Sequence, residues 1–193
     1  MRRRAARGAR LLAIVAVLAP AGAVLGAGVD WRGLPPAGTE WVEVRSAPGR
    51  FSVRMPERPD QIAHSRFTMA GPVRTVEYSV RRGETELRVE HHDLPRLAEM
   101  LISDAALLDR AASDLVADEG GVDPRVVGVS VHGHPAREVS FRIGERAGLA
   151  CEALLVLVGR RVYVLVSLHP QEAADVAASE RFLGSFQVWE PAR

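Results

Sequence analysis

Leu149-Ala150-Cys151-Glu152-Ala153-Leu154-Leu155-Val156-Leu157-Val158 and Val162-Tyr163-Val164-Leu165-Val166-Ser167-Leu168 are two apolar runs separated by Gly159-Arg160-Arg161. A strand with one face in water alternates apolar and polar residues. These runs are apolar at nearly every position, which is the mark of strands buried on both faces. Gly159-Arg160 supplies the turn that makes them neighbours. A sheet with such a centre needs helices or other elements packed on both of its sides.

Outward from this hairpin the pattern stays consistent. On the C-terminal side, Ala173, Val176, Ala177 and Leu183 recur at helical spacing and predict a helix from about Gln171 to Leu183, after which Phe186, Val188 and Trp189 finish the domain. On the N-terminal side, Val139, Phe141 and Ile143 alternate with polar residues, Gly133-His134-Pro135 turns the chain, and Val127, Val129 and Val131 alternate before it. Leu94, Leu97, Ala98, Leu101, Ala105, Leu108, Ala112 and Leu115 then predict helix, in one or two pieces with a break near Ser103. Ser103 or Asp104 caps the second piece, and Gly120-Gly121 ends it. Earlier still, Val76, Tyr78 and Val80 alternate, as do Leu87, Val89 and His91, with Arg82-Gly83 between them as a hairpin turn. Phe51, Val53 and Met55 form a strand closed by Met55-Pro56-Glu57-Arg58-Pro59. Strands joined by tight turns and interrupted by helices give an α+β class with a mainly antiparallel sheet, in one domain over residues 41–189.

Four segments carry a family resemblance: Gly49-Arg50-Phe51-Ser52-Val53-Arg54-Met55-Pro56-Glu57-Arg58-Pro59, Gly133-His134-Pro135-Ala136-Arg137-Glu138, Gly159-Arg160-Arg161-Val162-Tyr163 and Arg181-Phe182-Leu183-Gly184-Ser185-Phe186. In this order the chain resembles the PsbP-like α/β/α sandwich, and especially uncharacterised exported bacterial proteins of that fold. The resemblance implies a small exported accessory domain, generally non-enzymatic, that acts by binding. It implies no catalytic residue and no cofactor.

The first 27 residues read as a secretion signal. Arg2, Arg3, Arg4, Arg7 and Arg10 form a basic start, Leu11 to Leu18 an apolar run, and Ala21 to Ala27 a small-residue stretch with an A-x-A site ending at Ala23. The run is broken by Pro20 and Gly22 and is short of the ~20 apolar residues of a span, so no membrane span is expected after cleavage. Gly28 stands where a lipoprotein signal needs cysteine. Residues 28–40, with Gly33, Pro35, Pro36 and Gly38, read as a flexible linker. An exported, periplasmic or extracellular, location follows.

The formal charge is +1, of which the five arginines of the signal supply +5, leaving the remainder at −4. A nucleic-acid partner is not supported by that balance. All 25 basic residues are arginine, with no lysine or asparagine, a pattern of GC-rich coding rather than of anion recognition. Cys151 is the single cysteine, placed inside an apolar run, and reads as a small buried hydrophobe without a disulfide.

Candidate chemistry is sparse. His91-His92-Asp93 ends one strand and His132-x-His134 enters a turn, so His91, His92 and His132 are the set from which a metal-dependent hydrolase could be built. Against that, alternation puts His91 on the apolar face and His92 in solvent, and His134 serves its turn. Gly128-Val129-Ser130-Val131-His132 falls short of a nucleophile elbow, lacking the final glycine and the following helix. Glu77, Glu86, Glu90 and Glu138 occupy polar strand positions that a solvated face explains, and Arg81-Arg82 and Arg160-Arg161 read as solvated turn residues. The expectation is a non-enzymatic accessory domain for a protein or cell-envelope component, with no metal or cofactor. The alternatives are a carrier of a small apolar or lipid-like ligand, and the histidine-based hydrolase.

Overall fold

The computed structural model describes residues 41–68, 71–96, 102–145 and 148–189. The secretion signal and linker expected over residues 1–40, and much of the first helical piece after Leu94, lie outside the described residues.

Ten strands and two helices are described: β1 (Val42–Ser46), β2 (Phe51–Met55), β3 (Asp60–Thr68), β4 (Gly71–Arg82), β5 (Thr85–Asp93), α1 (Asp104–Glu119), β6 (Gly121–Val131), β7 (His134–Ile143), β8 (Leu149–Val158), β9 (Arg161–Pro170), α2 (Ala173–Gly184) and β10 (Gln187–Val188). Seven strands form the main sheet in the order β3-β4-β5-β9-β8-β7-β6, and every neighbouring pair is antiparallel. After β5 the chain crosses by way of α1 to the far edge, and the meander β6 to β9 brings it back to pair with β5. A second, three-stranded sheet has the order β1-β2-β10.

The β8–β9 hairpin sits at the centre with the register Leu155↔Val164 and Leu157↔Val162, its tip at Gly159 with φ +55. Both faces of it are covered, as continuous hydrophobicity requires. On one face α1 lays Leu107, Leu108, Ala111, Ala112 and Leu115 over Val139, Phe141, Cys151, Leu155, Val164 and Val166. On the other, Phe51, Val53 and Met55 of β2, Phe182 of α2 and Phe186 cover Tyr78, Leu87, Val89, Leu154, Val156, Tyr163 and Leu165. Each buried aliphatic side chain contributes ~1.5–3 kcal/mol, so these two layers supply most of the driving force.

The ends of α1 follow local rules. Ser103 accepts a hydrogen bond from the Ala106 amide at 3.3 Å, while Gly120 adopts φ +68 and donates back to the carbonyls of Ala117 and Val116. Gly121 is needed for a different reason: a Cβ there would lie 2.5 Å from the Phe141 ring.

Strand β3 has no counterpart among the sequence expectations, because it is an edge largely exposed on both faces and its sequence has no buried side to encode. Two expectations need correction. The turn after β6 is His132-Gly133, both with positive φ (+52 and +82), which is the two-residue hairpin geometry, and Pro135 already belongs to β7. Three of the four arginines expected to be solvated turn residues carry ion pairs. Arg82 pairs with Glu57 at 2.7 Å, Arg81 with Glu86, and Arg161 with Asp93 at 2.6 Å and the Pro48 carbonyl at 2.8 Å.

Candidate functional site

β5 concentrates the chain's polar chemistry. Its odd positions Leu87, Val89 and His91 face the β2–α2 side, so Glu86, Arg88, Glu90 and His92 share the opposite, α1 side. All four are buried, Glu90 completely. The expectation of a solvated face for Glu86 and Glu90, and of a solvent-facing His92, is therefore corrected. The reason is that β5 lies inside the sheet between β4 and β9, and α1 brings Glu119 against it.

Arg88 organises the group. Its Nη1 donates to Glu86 and its Nη2 to Glu119, each at 3.0 Å, and its Nε lies 2.7 Å from Glu90. Glu90 meets His92 Nε2 at 3.3 Å on its other oxygen, and His92 Nδ1 is 2.8 Å from the Thr75 hydroxyl. The two contacts to Glu90 are close polar approaches whose angles fall short of hydrogen-bond geometry. Burial by itself raises the Glu90 carboxyl, but His92 and Arg88 outweigh it and hold the group below its usual 4.5. Burial likewise opposes the charge on Arg88, and the carboxylates of Glu90 and Glu119 more than reverse that, raising its pKa above the ordinary arginine value. Glu119 is the last residue of α1, where the helix dipole disfavours an acid, so Arg88 also offsets that cost. A carboxylate next to an imidazole is acid–base chemistry in principle. Here the pair is sealed from solvent and committed to Arg88, and the arrangement works as a bolt between α1 and the sheet.

The other candidates do not converge on it. His91 lies on the opposite face of β5, its ring centroid 6.1 Å from Phe51 and 6.4 Å from Tyr163, with neither nitrogen hydrogen-bonded. Burial there, reinforced by Arg161, pushes its pKa from 6.5 down to about 4. His132 is in the β6–β7 turn, its Nε2 3.2 Å from the Phe186 carbonyl. Among the described residues no three His, Cys, Asp or Glu side chains are grouped so as to hold a metal ion. Ser130 continues β6 in register with Pro135, without the sharp turn a nucleophile needs. Cys151 is fully buried, and burial raises its thiol pKa further from reactivity. Beneath α1, Leu108, Leu115 and Leu155 are all 0% exposed.

Sequence reasoning missed Arg88, Glu119 and Thr75. The available signal was Glu86-x-Arg88-x-Glu90-x-His92, acid, base, acid, base at a spacing of two, with Leu87, Val89 and His91 between them. It missed a second polar group as well: under α2, Ser179 donates to Glu152 at 2.5 Å, and His169, 1% exposed, lies 3.7 Å from the same carboxylate.

One concavity opens to solvent between the C-terminal end of α2 and the small sheet. It encloses about 490 Å³ and is lined by Glu43, Ser52, Val53, Arg54, Glu180, Arg181, Gly184, Ser185 and Gln187. Ser185 shapes its floor, accepting from the Arg54 amide at 2.8 Å, and the Arg181 guanidinium stacks on Trp41 at 4.7 Å. Charges of both signs line it.

No protein-family model matches the chain, and no curated protein matches it. Among solved structures it is similar to cyanobacterial PsbP (CyanoP) from Synechocystis sp. PCC 6803, with a TM-score of 0.51 and 12% identity over 87% of this chain and 98% of that one. A protein of unknown function from Pseudomonas aeruginosa, PA94, aligns with a TM-score of 0.32 and 14% identity over 72% of this chain and 88% of that one. The first likeness shows that the fold is PsbP-like, as the four sequence segments implied.

Proposed function

We propose that this PsbP-like domain is an exported, non-enzymatic accessory module that binds a protein or cell-envelope component through the cleft between α2 and the small sheet. The observation that carries the reading is a division of labour among polar groups. Those with acid–base potential (Glu90, His92, His169 and Ser179) are buried against partners inside the fold, Glu90 with His92, and His169 and Ser179 with Glu152, whereas Arg54, Arg181, Glu43 and Glu180 line an open concavity. A cleft with both charge signs suits a polar, mixed-charge surface rather than an apolar ligand.

Site-specific photocrosslinking from Gln187, in cells expressing the full chain, tests this. The expected result is a discrete crosslinked product outside the cytoplasm, lost in the Arg54→Glu, Arg181→Glu variant, with the recovered chain's intact mass placing its start between Val24 and Gly28. Hydrolytic turnover abolished by Glu90→Gln, or crosslinking indifferent to the cleft charges, would sink the reading.

A further inference from the structure

The two outer strands of the main sheet are built differently. β6 contains Pro124, a register irregularity between Val122 and Arg125, and Asp123 at φ +53. Such features interrupt the row of outward N–H and C=O groups and protect an edge from unwanted pairing. β3 has none of them. Its nine residues, Asp60–Thr68, run in unbroken antiparallel register with β4, without proline, and its other side meets no strand among the described residues. It also presents large apolar side chains to solvent, with Ile62 56% and Phe67 85% exposed.

We propose that β3 is a dimerisation edge, at which two copies of the chain pair their β3 strands antiparallel about a two-fold axis and continue one sheet through both. The sequence of the strand favours a second copy as the occupant. A two-fold axis perpendicular to the sheet keeps each face continuous, so every position meets one of its own parity. With Ala63 on the axis, position 60 meets position 66 at both ends of the contact, an aspartate against an arginine twice. Gln61 then meets Ser65, Ile62 meets His64, and Phe67 falls opposite Pro59. Placing His64 on the axis instead sets two imidazoles face to face and Ile62 against arginine. Placing Ser65 there sets His64 against arginine and leaves Asp60 without an opposite charge. Cross-strand charge pairs therefore select the Ala63-centred register.

The contact is small for an interface, so association belongs in the micromolar range. Sedimentation velocity of the full chain from about 1 to 100 µM should show a monomer–dimer equilibrium. Asp60→Arg or Arg66→Asp alone should weaken it by about tenfold, and the two together should restore it, since the swap re-forms both pairs. As an independent measure, Ala63→Cys should form a disulfide-linked dimer under mild oxidation, whereas Ser65→Cys should not; Cys151 is too buried to compete. The cleft variant Arg54→Glu, Arg181→Glu should dimerise normally, which separates this inference from the proposed function. A chain monomeric at 100 µM, a dimer indifferent to the charge swap, or crosslinking strongest away from position 63 overturns it. An extended peptide of another protein as the true occupant would appear as the first of these outcomes.

Discussion

β5 and β9 are neighbours in the middle of the sheet, and both are buried along almost their whole length. β9 reaches that state by being apolar on both faces, with Tyr163 and Leu165 toward β2 and α2, and Val162, Val164 and Val166 toward α1. β5 is apolar on one face only. Its other face carries Glu86, Arg88, Glu90 and His92, buried by mutual pairing and by Glu119 of α1. The difference teaches that burial has two routes, and that they respond differently to damage. An apolar face loses contacts in proportion to the atoms removed. A paired ionic face fails when one partner leaves the others charged and dry.

The largest expected effect is on the ionic face. Arg88→Met takes the guanidinium away from three carboxylates, two of them hydrogen-bonded to it, leaving Glu86 only Arg81, Glu90 only His92 and Glu119 unpaired in the network, and should cost about 3–5 kcal/mol at pH 7 in urea melts. That cost should shrink in acid. Glu90 is held below 4.5 in the intact protein, so its contribution is fully present above 4.5 and is lost as pH falls through the lowered value. Without Arg88 a principal cause of that depression is gone, and wild type and variant should draw together below pH 4.5. Parallel pH profiles for the two proteins would show that the network is not electrostatically coupled.

Leu155→Ala, on the fully apolar β8–β9 hairpin, should cost a comparable or smaller ~2–5 kcal/mol by leaving a cavity beneath α1. Its cost should be the same at pH 4.5 and pH 7, which distinguishes loss of packing from loss of pairing. A pH-dependent cost would break the distinction between the strands.

The smallest effect concerns His91, the polar residue on the apolar face of β5. Its pKa is lowered from 6.5 to about 4, so the unfolded chain binds a proton that the folded one refuses between these values. Stability should therefore fall by roughly 2 kcal/mol as pH drops from 6.5 toward 4. His91→Phe should remove this slope between pH 6.5 and 4.5 without loss at pH 7, because neither imidazole nitrogen has a hydrogen-bond partner to forfeit. An unchanged slope in the variant would assign the titration to another group.

The legible parts of the fold were those where burial and residue type coincide. The β8–β9 centre, the alternation of β7, the Ser103 and Gly120 caps of α1 and the α2 stripe could be read because local pattern and final environment agree. β3 was illegible for the opposite reason: an edge strand exposed on both faces imposes no period on its residues. The polar cluster was half legible. Its alternation marked a strand face correctly, but polar residues ordinarily mean water, and nothing local announces that a neighbouring strand and a helix end will take water's place.

The sequence by itself thus determined the α+β class, the two-sided burial of the central hairpin, the inert setting of Cys151 and the resemblance to the PsbP-like sandwich. These depend on periodicity, on turn residues and on apolar volume, which are local properties. Only the tertiary structure decided that β5 sits inside the sheet rather than at its rim, that Glu119 arrives from the end of α1 to meet Arg88, and that His92 ends buried beside Glu90 rather than in solvent. Those facts depend on which strands become neighbours. The nearest partners of Arg88 in space include a residue 31 positions away in the chain, and no local pattern encodes that distance.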